Sequence, residues 1–495
     1  MFSAKVVSQN FHYQQRRPEE TILYQAIQAN FKTAMARLES DGKILPEFVK
    51  KEFADYLKCG IHAHGFVRCQ CDQCKRQLAV AFSCKDRGFC PSCGGRRMAE
   101  GAAKLVDGVL PEQRLRQWVL SFPYHLRFLF AFNPKALSIG LEVTTKAILQ
   151  YYAQKAKLEF KVMAKSGAVA LIQRFGGHAN LNIHFHLVFI DGAFDKEATF
   201  YPLPGPTDAD VAEMVAKIKA NIGLRLHSSG LLKEDGLNHD SEQLSPFPDL
   251  LSEIGVASLE NRLFLGADKG RKATARGPGA GNWLEMRGPQ QAYIEGFSLH
   301  AAVSVDKNDK LGKEHLIRYI LRPPLAQDRL KALGDNKFRY EFKRAWIDGT
   351  KHIDFSGEEL VVRLASLVPP PKRNLIRYYG VIGARSKIRG KIAPKKPELP
   401  ASPPQLAIQE DAPKAAGKER IAWARLLKRV FKIDIEKCPC GGTLRVVGVA
   451  LFKKDIDPIL KALGIPTVAP ELCEARPPPK GAQASFDEFN QEFWG

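Results

Sequence analysis

Apolar and polar positions follow two different periods along the chain, and the switch between them divides it. Over residues 19–57 apolar side chains such as Leu23, Ile27 and Phe31 are spaced by four, which predicts helices. A cysteine-rich segment follows, then a polar helix from about Arg97 to Leu110. From Gln117 short apolar runs predict strands: QWVLSFP, GAVALIQRF at 167–175 and NIHFHLVFI at 182–190, with a helical stretch at about 134–160 between the first two. Pro202 to about Gly288 reads as an insertion, with the helix DADVAEMVAKIKANIGLRL and then a basic, glycine-rich loop, KGRKATARGPGAG, expected to be mobile. The strand GFSLHAAVSV (296–305) returns to the sheet. The helix KEHLIRYIL must stop at Pro323-Pro324, because proline lacks the donor and clashes with the preceding turn. FRYEFKRAW and TKHIDF, joined by a turn at Asp348-Gly349, read as a hairpin. Residues 385–418 turn rich in Pro, Ala and Lys and read as a linker, followed by a small C-terminal unit opening on a helix at about Ile421 to Phe431. There is no internal repeat.

Composition narrows the class. At 495 residues, 45% apolar and 26% charged, the chain has an ordinary globular balance that excludes wholesale disorder. No uncharged apolar run reaches about 18 residues, so no spanning helix is expected. The first residues, MFSAKVVSQNFHYQQRRPEE, lack the apolar core of a secretory signal, which implies a cytoplasmic protein. A formal charge of +21 calls for a polyanionic partner. Without a broad basic amphipathic helix to favour a membrane, that partner is expected to be nucleic acid.

Seven of the ten cysteines fall between Cys59 and Cys93. In a chain without an export signal this clustering points to metal rather than disulfides. Cys71-x2-Cys74 and Cys90-x2-Cys93 have the two-knuckle spacing of a closed four-thiolate zinc site, whose role would be structural because no coordination position stays open. Cys59, His62, His64, Cys69 and Cys84 are surplus; they are candidates to complete a second site or to replace one ligand. Arg68, Lys75, Arg76, Lys85, Arg87, Arg96 and Arg97 surround the knuckles, as expected of a module facing phosphates. Cys438-Pro439-Cys440-Gly441-Gly442 reads by default as a simple turn, with half a zinc knuckle as the alternative.

His184-Phe185-His186 lies within an apolar strand, so both imidazoles share one face and Phe185 packs on the other. Ring nitrogens inside an apolar run need partners, and two adjacent ligands of a divalent ion would supply them. Two independently hydrogen-bonded histidines are the plainer alternative. Wound as a helix, KEHLIRYIL puts Leu316, Ile317, Ile320 and Leu321 on one stripe and His315, Arg318, Tyr319 and Arg322 opposite. A phenol held between a histidine and arginines suits nucleophilic attack on a phosphodiester. Contacts to phosphate are expected from the zinc module, from the loop Lys269 to Arg276 with Lys269, Arg271 and Lys272, and from Lys372, Arg373, Arg377, Arg385, Lys387 and Arg389, with Tyr378 and Tyr379 able to stack bases.

His184-Phe185-His186 followed by Tyr319 in RYILRPPLAQDRL resembles the HUH-type (histidine–hydrophobic–histidine) rolling-circle transposases of the insertion-sequence ninety-one family. The resemblance runs through VAFSCKDRGFCPSCGGRRMAE, similar to the family's N-terminal zinc-binding domain, then NLNIHFHLVFIDGAF, GFSLHAAVSV, PPPKRNLIRYYGVIGA and CPCGGTLRVVGVA. It implies that His184 and His186 hold Mg²⁺ or Mn²⁺ and that Tyr319 attacks single-stranded DNA at the ends of a mobile element. The product would be a 5′-phosphotyrosyl enzyme and a free 3′-hydroxyl, later rejoined to target DNA. It also implies a bacterial, nucleoid-associated protein. Founding members carry two tyrosines four apart, whereas His315 takes the first position here, so this is a single-tyrosine variant with one tyrosine per subunit if the protein is a homodimer. His315 and His300 are the leading candidates for a third metal ligand, with Glu314 and His178 behind them.

The fold expected is α+β: a helical and zinc-binding region (1–115), an HUH nuclease domain with an antiparallel sheet (116–330, insertion at about 202–288), a hairpin and basic DNA-contact region (331–384), the linker (385–418) and a small C-terminal region (419–495). The rival readings are a plasmid rolling-circle replication initiator or relaxase, and a non-catalytic zinc-dependent DNA-binding protein.

Overall fold

The structure is a computed structural model that describes residues 15–232, 249–265, 269–272, 283–345, 349–394 and 436–477. Helix α1 (Ile22–Ser40) starts where the Thr21 hydroxyl accepts the Tyr24 N–H, and α2 (Glu47–Lys58) follows Pro46. The cysteine-rich segment forms a hairpin of β1 (Phe66–Cys71) and β2 (Gln77–Ala81), then α3 (Pro91–Gly108), which opens on a proline. Next come β3 (Leu115–Ser121), α4 (Tyr124–Phe132) and the long α5 (Pro134–Phe160), whose first N–H groups are capped by the Asn133 side chain. Strands β4 (Gly167–Phe175) and β5 (Leu181–Ile190) are followed by the short pair β6 (Gly192–Phe194) and β7 (Phe200–Pro202). A capping box between Thr207 and Asp210 starts α6 (Asp208–Ser228), and α7 spans Asp249–Leu259.

Strands β8 (Glu285–Gly288), β9 (Gln291–Ile294), β10 (Phe297–His300) and β11 (Ser304–Val305) lead to α8 (Lys310–Ile320), capped by Asp309. Beyond it lie β12 (Leu330–Gly334), β13 (Lys337–Glu341), β14 (His352–Ser356), α9 (Gly357–Leu367), β15 (Ile376–Gly380) and the short α10 (Arg389–Ile392). The C-terminal segment supplies β16 (Leu444–Ala450) and α11 (Lys453–Ala462). Among the described residues no helix is long and apolar enough to cross a membrane.

The main sheet runs β15-β4-β5-β3-β10-β9-β8, with β11 also on β3, and its pairings are antiparallel. This is the mixed helix and antiparallel-sheet architecture expected from the periodicities. Because side chains alternate along each strand, β5 divides its residues between two cores. Phe185, Leu187 and Phe189 join Trp118, Leu120, Phe122, Ala170 and Ile172 beneath α4, α5 and α6. Val188 and Ile190 join Leu115, Val169 and Leu171 on the other face, where Leu316, Ile317 and Ile320 of α8 and Ala102, Leu105 and Val106 of α3 close over them. The histidines belong to this second face.

Several elements differ from the sequence expectation. Strand β8 is already part of the main sheet, and Val211, Val215, Ile218 and Ile222 of α6 are fully buried on it, so the 202–288 segment builds the core rather than sitting outside it. The residues after α7 are held by Glu359, which accepts the Phe264 and Leu265 N–H groups and pairs with Arg363 at 3.1 Å. The basic segment near Arg377 supplies β15, an edge strand on β4. The 338–355 hairpin forms as β13 and β14, with β12 added to make a three-stranded sheet. Strand β16 pairs with β1, making the C-terminal segment the third strand of the cysteine hairpin. Residues 273–282 of the glycine-rich loop, and most of the expected linker together with the expected helix at 421–431, lie outside the described residues.

One buried ion pair fixes the end of β5. Asp191 accepts from Arg114, from Arg116 at 2.9 Å and from the Tyr152 hydroxyl at 3.1 Å, while Arg116 also donates to the Ala301 carbonyl. Replacing the carboxylate would leave the buried Arg116 guanidinium uncompensated. Asp191→Ala is expected to cost about 3–5 kcal/mol in urea unfolding; a loss below about 1 kcal/mol, the scale of a surface pair, would contradict this reading.

Candidate active site and metal centres

The two histidine rings stand side by side on β5, with centroids 4.9 Å apart. The His184 Nδ1–H donates to the Asn182 carbonyl at 2.9 Å, which leaves the Nε2 lone pair for a ligand. Burial pushes the His184 imidazole down to about 4; Arg127 and Arg322 add to this against the opposing Asn182 hydrogen bond, so the ring is neutral near pH 7. His186 is likewise held well below its ordinary value by burial, then by His184 and Arg322. Its Nδ1 lies 2.7 Å from the Gln117 side-chain amide and its Nε2 3.3 Å from the Gln173 amide oxygen. With the Gln117 amide oxygen turned to the ring, the Nδ1–H donates to it and the Nε2 lone pair is left for a ligand. The Gln173 amide N–H donates to the Ile320 carbonyl at 3.0 Å, which fixes which end of that amide meets the histidine.

Gln117 and Gln173 were not singled out from the sequence. They sit on β3 and β4, the strands flanking β5, and their register partners there are Val188 and His184. Only strand register reveals them, since neither belongs to a local motif. His184, His186 and the Gln173 oxygen bring two imidazoles and one amide oxygen to the same place, donors that could hold a divalent ion whose remaining positions are taken by water or phosphate oxygens.

The candidates for a third ligand lie elsewhere. His300 is in register with Val119, which is in register with His186, so a whole strand separates the two histidines, roughly 9–10 Å at the usual spacing. His315 is exposed on α8, one turn before Tyr319, while Glu314 is buried and His178 packs on Phe342. Among the described residues, neither His300 nor His315 joins the pair in a group of three potential ligands.

Helix α8 presents the side chains as the helical wheel predicts. Leu316, Ile317 and Ile320 are buried, whereas Tyr319 is 49% exposed. Its ring lies 6.4 Å from that of His186 at nearly a right angle, and the Arg322 guanidinium stands 5.0 Å from the tyrosine ring. The buried Arg322 Nε has no hydrogen-bond partner among the described residues. A donor left open beside a phenol and two neutral imidazoles is suited to an anion.

The single zinc site expected from Cys71, Cys74, Cys90 and Cys93 does not form. The β1–β2 hairpin lies between the knuckles and places Cys71 and Cys74 near its turn, away from Cys90 and Cys93 at the start of α3. Two groups result: Cys59, Cys84, Cys90 and Cys93, and separately Cys71, Cys74, Cys438 and Cys440. In the first, sulfurs lie 3.8 Å apart for Cys59–Cys90, 3.7 Å for Cys59–Cys93 and 3.4 Å for Cys84–Cys93. Sulfurs bound tetrahedrally at about 2.3 Å from zinc would be about 3.8 Å apart, so the group fits that ion. Cys69, His62 and His64 stay outside both groups, and His62 faces the Ala79 carbonyl instead.

The expected DNA contacts divide by position. Arg318 and Arg322 accompany Tyr319 on or just after α8. Arg97 is occupied in the zinc module, donating to the Lys85 and Asp86 carbonyls, while Arg96 lies on the same helix. Lys269, Arg271 and Lys272 are exposed on a turn whose Lys272 bridges to Arg262. Arg377 is in register with Ala170, hence on the face opposite the histidines, and donates to the Ser138 hydroxyl of α5.

The zinc-anchored helix and the tyrosine helix are in close contact. A Cβ on Gly94 would meet the Pro323 Cβ at 2.7 Å, and one on Gly101 would meet the Leu321 Cδ1 at 2.7 Å. Seven residues apart, these glycines lie on one face of α3 and let the end of α8 approach it.

A family model described as "Putative transposase" matches residues 167–389, which hold β4, β5 and α8, and a transposase zinc-binding domain matches residues 27–122, which hold the first cysteine group. Together they define the class, a transposase that carries its own zinc-binding domain. The chain belongs to the insertion-sequence ninety-one transposase family. No curated protein and no solved structure matches it.

The helix contact yields a test on two adjacent glycines. Nothing lies within 4 Å of a Cβ on Gly95. Gly95→Ala should therefore gain roughly 0.5–1 kcal/mol from helix propensity, whereas Gly94→Ala should lose about 1–3 kcal/mol by overpacking on Pro323. Thermal unfolding measures both, and equal shifts of the same sign would rule out the close approach.

Proposed function

We propose that this transposase cleaves and rejoins single-stranded DNA at the ends of a mobile element, with Tyr319 as nucleophile. The observation that carries the reading is the exposed Tyr319 phenol beside the His184–His186 pair. Arg318 and Arg322 bind the non-bridging oxygens of the scissile phosphate. The phenol oxygen attacks phosphorus as its proton leaves, and the bond from phosphorus to the 3′-oxygen breaks. The 3′-oxygen departs as a hydroxyl after taking up a proton, and the phosphate remains esterified to Tyr319 and to the 5′ side of the next nucleotide. In rejoining, a 3′-hydroxyl attacks the phosphotyrosine and releases the phenol. One phosphodiester is exchanged for another in each direction, so no external energy source is required.

His184, His186 and the Gln173 amide oxygen are the residues that would hold Mg²⁺ or Mn²⁺, in preference to His300 or His315. Such an ion polarises the scissile P–O bond. Gln117 fixes the His186 ring, and the Gln173 link to the Ile320 carbonyl ties the histidines to the tyrosine helix. Cys59, Cys84, Cys90 and Cys93 hold a structural zinc at the start of α3. The exposed cations at Lys269, Arg271 and Lys272, with Arg96, give sequence-independent attraction to the phosphate backbone.

Cleavage of labelled single-stranded oligonucleotides spanning element ends, read beside DNA binding, tests this assignment. Tyr319→Phe and His186→Ala are each expected to lower cleavage by about 10³-fold or more while changing binding little. Undiminished cleavage by Tyr319→Phe would remove Tyr319 from the reaction, and equal loss of binding and cleavage in His186→Ala would make that histidine a residue of the fold.

A further inference from the structure

The second cysteine group joins parts of the chain that lie far apart. Cys71 and Cys74 end β1 and begin the turn to β2, whereas Cys438 and Cys440 immediately precede β16, and the zinc-binding family match ends at residue 122. The sulfurs of Cys71 and Cys440 are 3.5 Å apart and those of Cys74 and Cys438 are 3.6 Å apart. We propose that Cys71, Cys74, Cys438 and Cys440 bind a second zinc ion that clasps the C-terminal segment onto the N-terminal hairpin. The assignment stands apart from the nuclease reading.

Three observations carry it. First, the donors are four thiols with no carboxylate or imidazole among them, a soft set that selects zinc. Second, the backbone around them is shaped for close approach. A Cβ on Gly442 would meet the Cys71 Sγ at 2.6 Å, and Gly441 has φ +91°, where a side chain is strained. The Thr443 N–H donates to the Asp72 carboxylate at 2.8 Å and the Asp72 N–H to the Thr443 carbonyl at 3.0 Å, so the knuckle and the C-terminal turn are bound directly beside the sulfurs.

Third, the buried core of the unit is small, although residues 471–476 also bond to Gln28, Lys32, Thr33 and Glu358. Among the described residues the buried core shared by the hairpin and the C-terminal segment comprises Phe66, Ala79, Ala450, Ile456 and Leu460, with Ile459, Leu463 and Ile465 partly buried against it, while Val446, Val447 and Val449 of β16 are about half exposed. So small a core gives the unit little stability of its own. A structural metal supplies what such small units lack. On binding, the thiols give up their protons and zinc takes four thiolates, with no change of oxidation state.

The test is the zinc content of the full chain by elemental analysis, together with a specific protease site inserted between residues 395 and 435. Wild type is expected to carry two zinc ions per chain, and Cys438→Ser/Cys440→Ser one. After cleavage at the inserted site the C-terminal fragment should stay bound to the remainder, and should separate on chelation or in the double variant. Gly442→Val keeps all four thiols and should release its second zinc at lower chelator concentration than wild type, which tests the site without removing a ligand. One zinc in wild type that the double variant retains would overturn the proposal. So would two in the double variant, a fragment that stays bound after both ions are removed, or a Cys71–Cys440 or Cys74–Cys438 disulfide in the freshly purified protein.

Discussion

The arrangement depends on the contact between α3 and α8. Helix α8 has one apolar stripe, and it lies between the sheet face bearing Val169, Leu171 and Val188 and the Ala102–Val106 stretch of α3. Gly94 and Gly101 set the distance, since neither Pro323 nor Leu321 leaves room for a Cβ. With the apolar side so enclosed, Tyr319 and Arg322 are left on the edge that meets His184 and His186. The cysteines at the N-terminus of α3 therefore belong to the mechanical support of the tyrosine, although they are far from it along the chain. Interiors packed at this density pass small displacements on, so loosening α3 moves α8.

The histidine strand and the tyrosine helix were legible because each is a local pattern. A period of two places His184 with His186, and a period near 3.6 separates Tyr319 from Leu316 and Ile320. The neighbours that orient the histidines were not legible. Gln117 and Gln173 reach His186 from adjacent strands, and register between strands depends on the whole sheet. The same limit explains the cysteines. Spacing shows that Cys71 pairs locally with Cys74 and Cys90 with Cys93, but which pairs converge is decided by the hairpin between them. Cys438 and Cys440 looked like a turn because their partners lie more than 360 residues earlier. Arg377 reads as one cation in a basic run, yet β15 commits its side chain to the face away from the tyrosine.

Charge has more than one use in this chain. The excess of 21 positive charges is a long-range attraction for a polyanion, and the exposed cations contribute to it collectively. Individual arginines are spent on structure: Arg116 on Asp191, Arg363 on Glu359 and Arg97 on the carbonyls of the zinc loop. Arg322 is different, because a buried donor remains open beside the phenol and the neutral imidazoles. That combination is suited to an anion.

The central claim is that the Tyr319 oxygen becomes covalently bonded to DNA. Mass spectrometry of peptides from the protein, after incubation with Mn²⁺ and a single-stranded oligonucleotide spanning an element end and then digestion of the DNA, reads that bond directly. The account predicts a nucleotide mass on the peptide containing Tyr319, linked through a 5′-phosphate, with the released strand ending in a 3′-hydroxyl. Cleaved DNA with no modified peptide, or with the nucleotide on another residue, would contradict it.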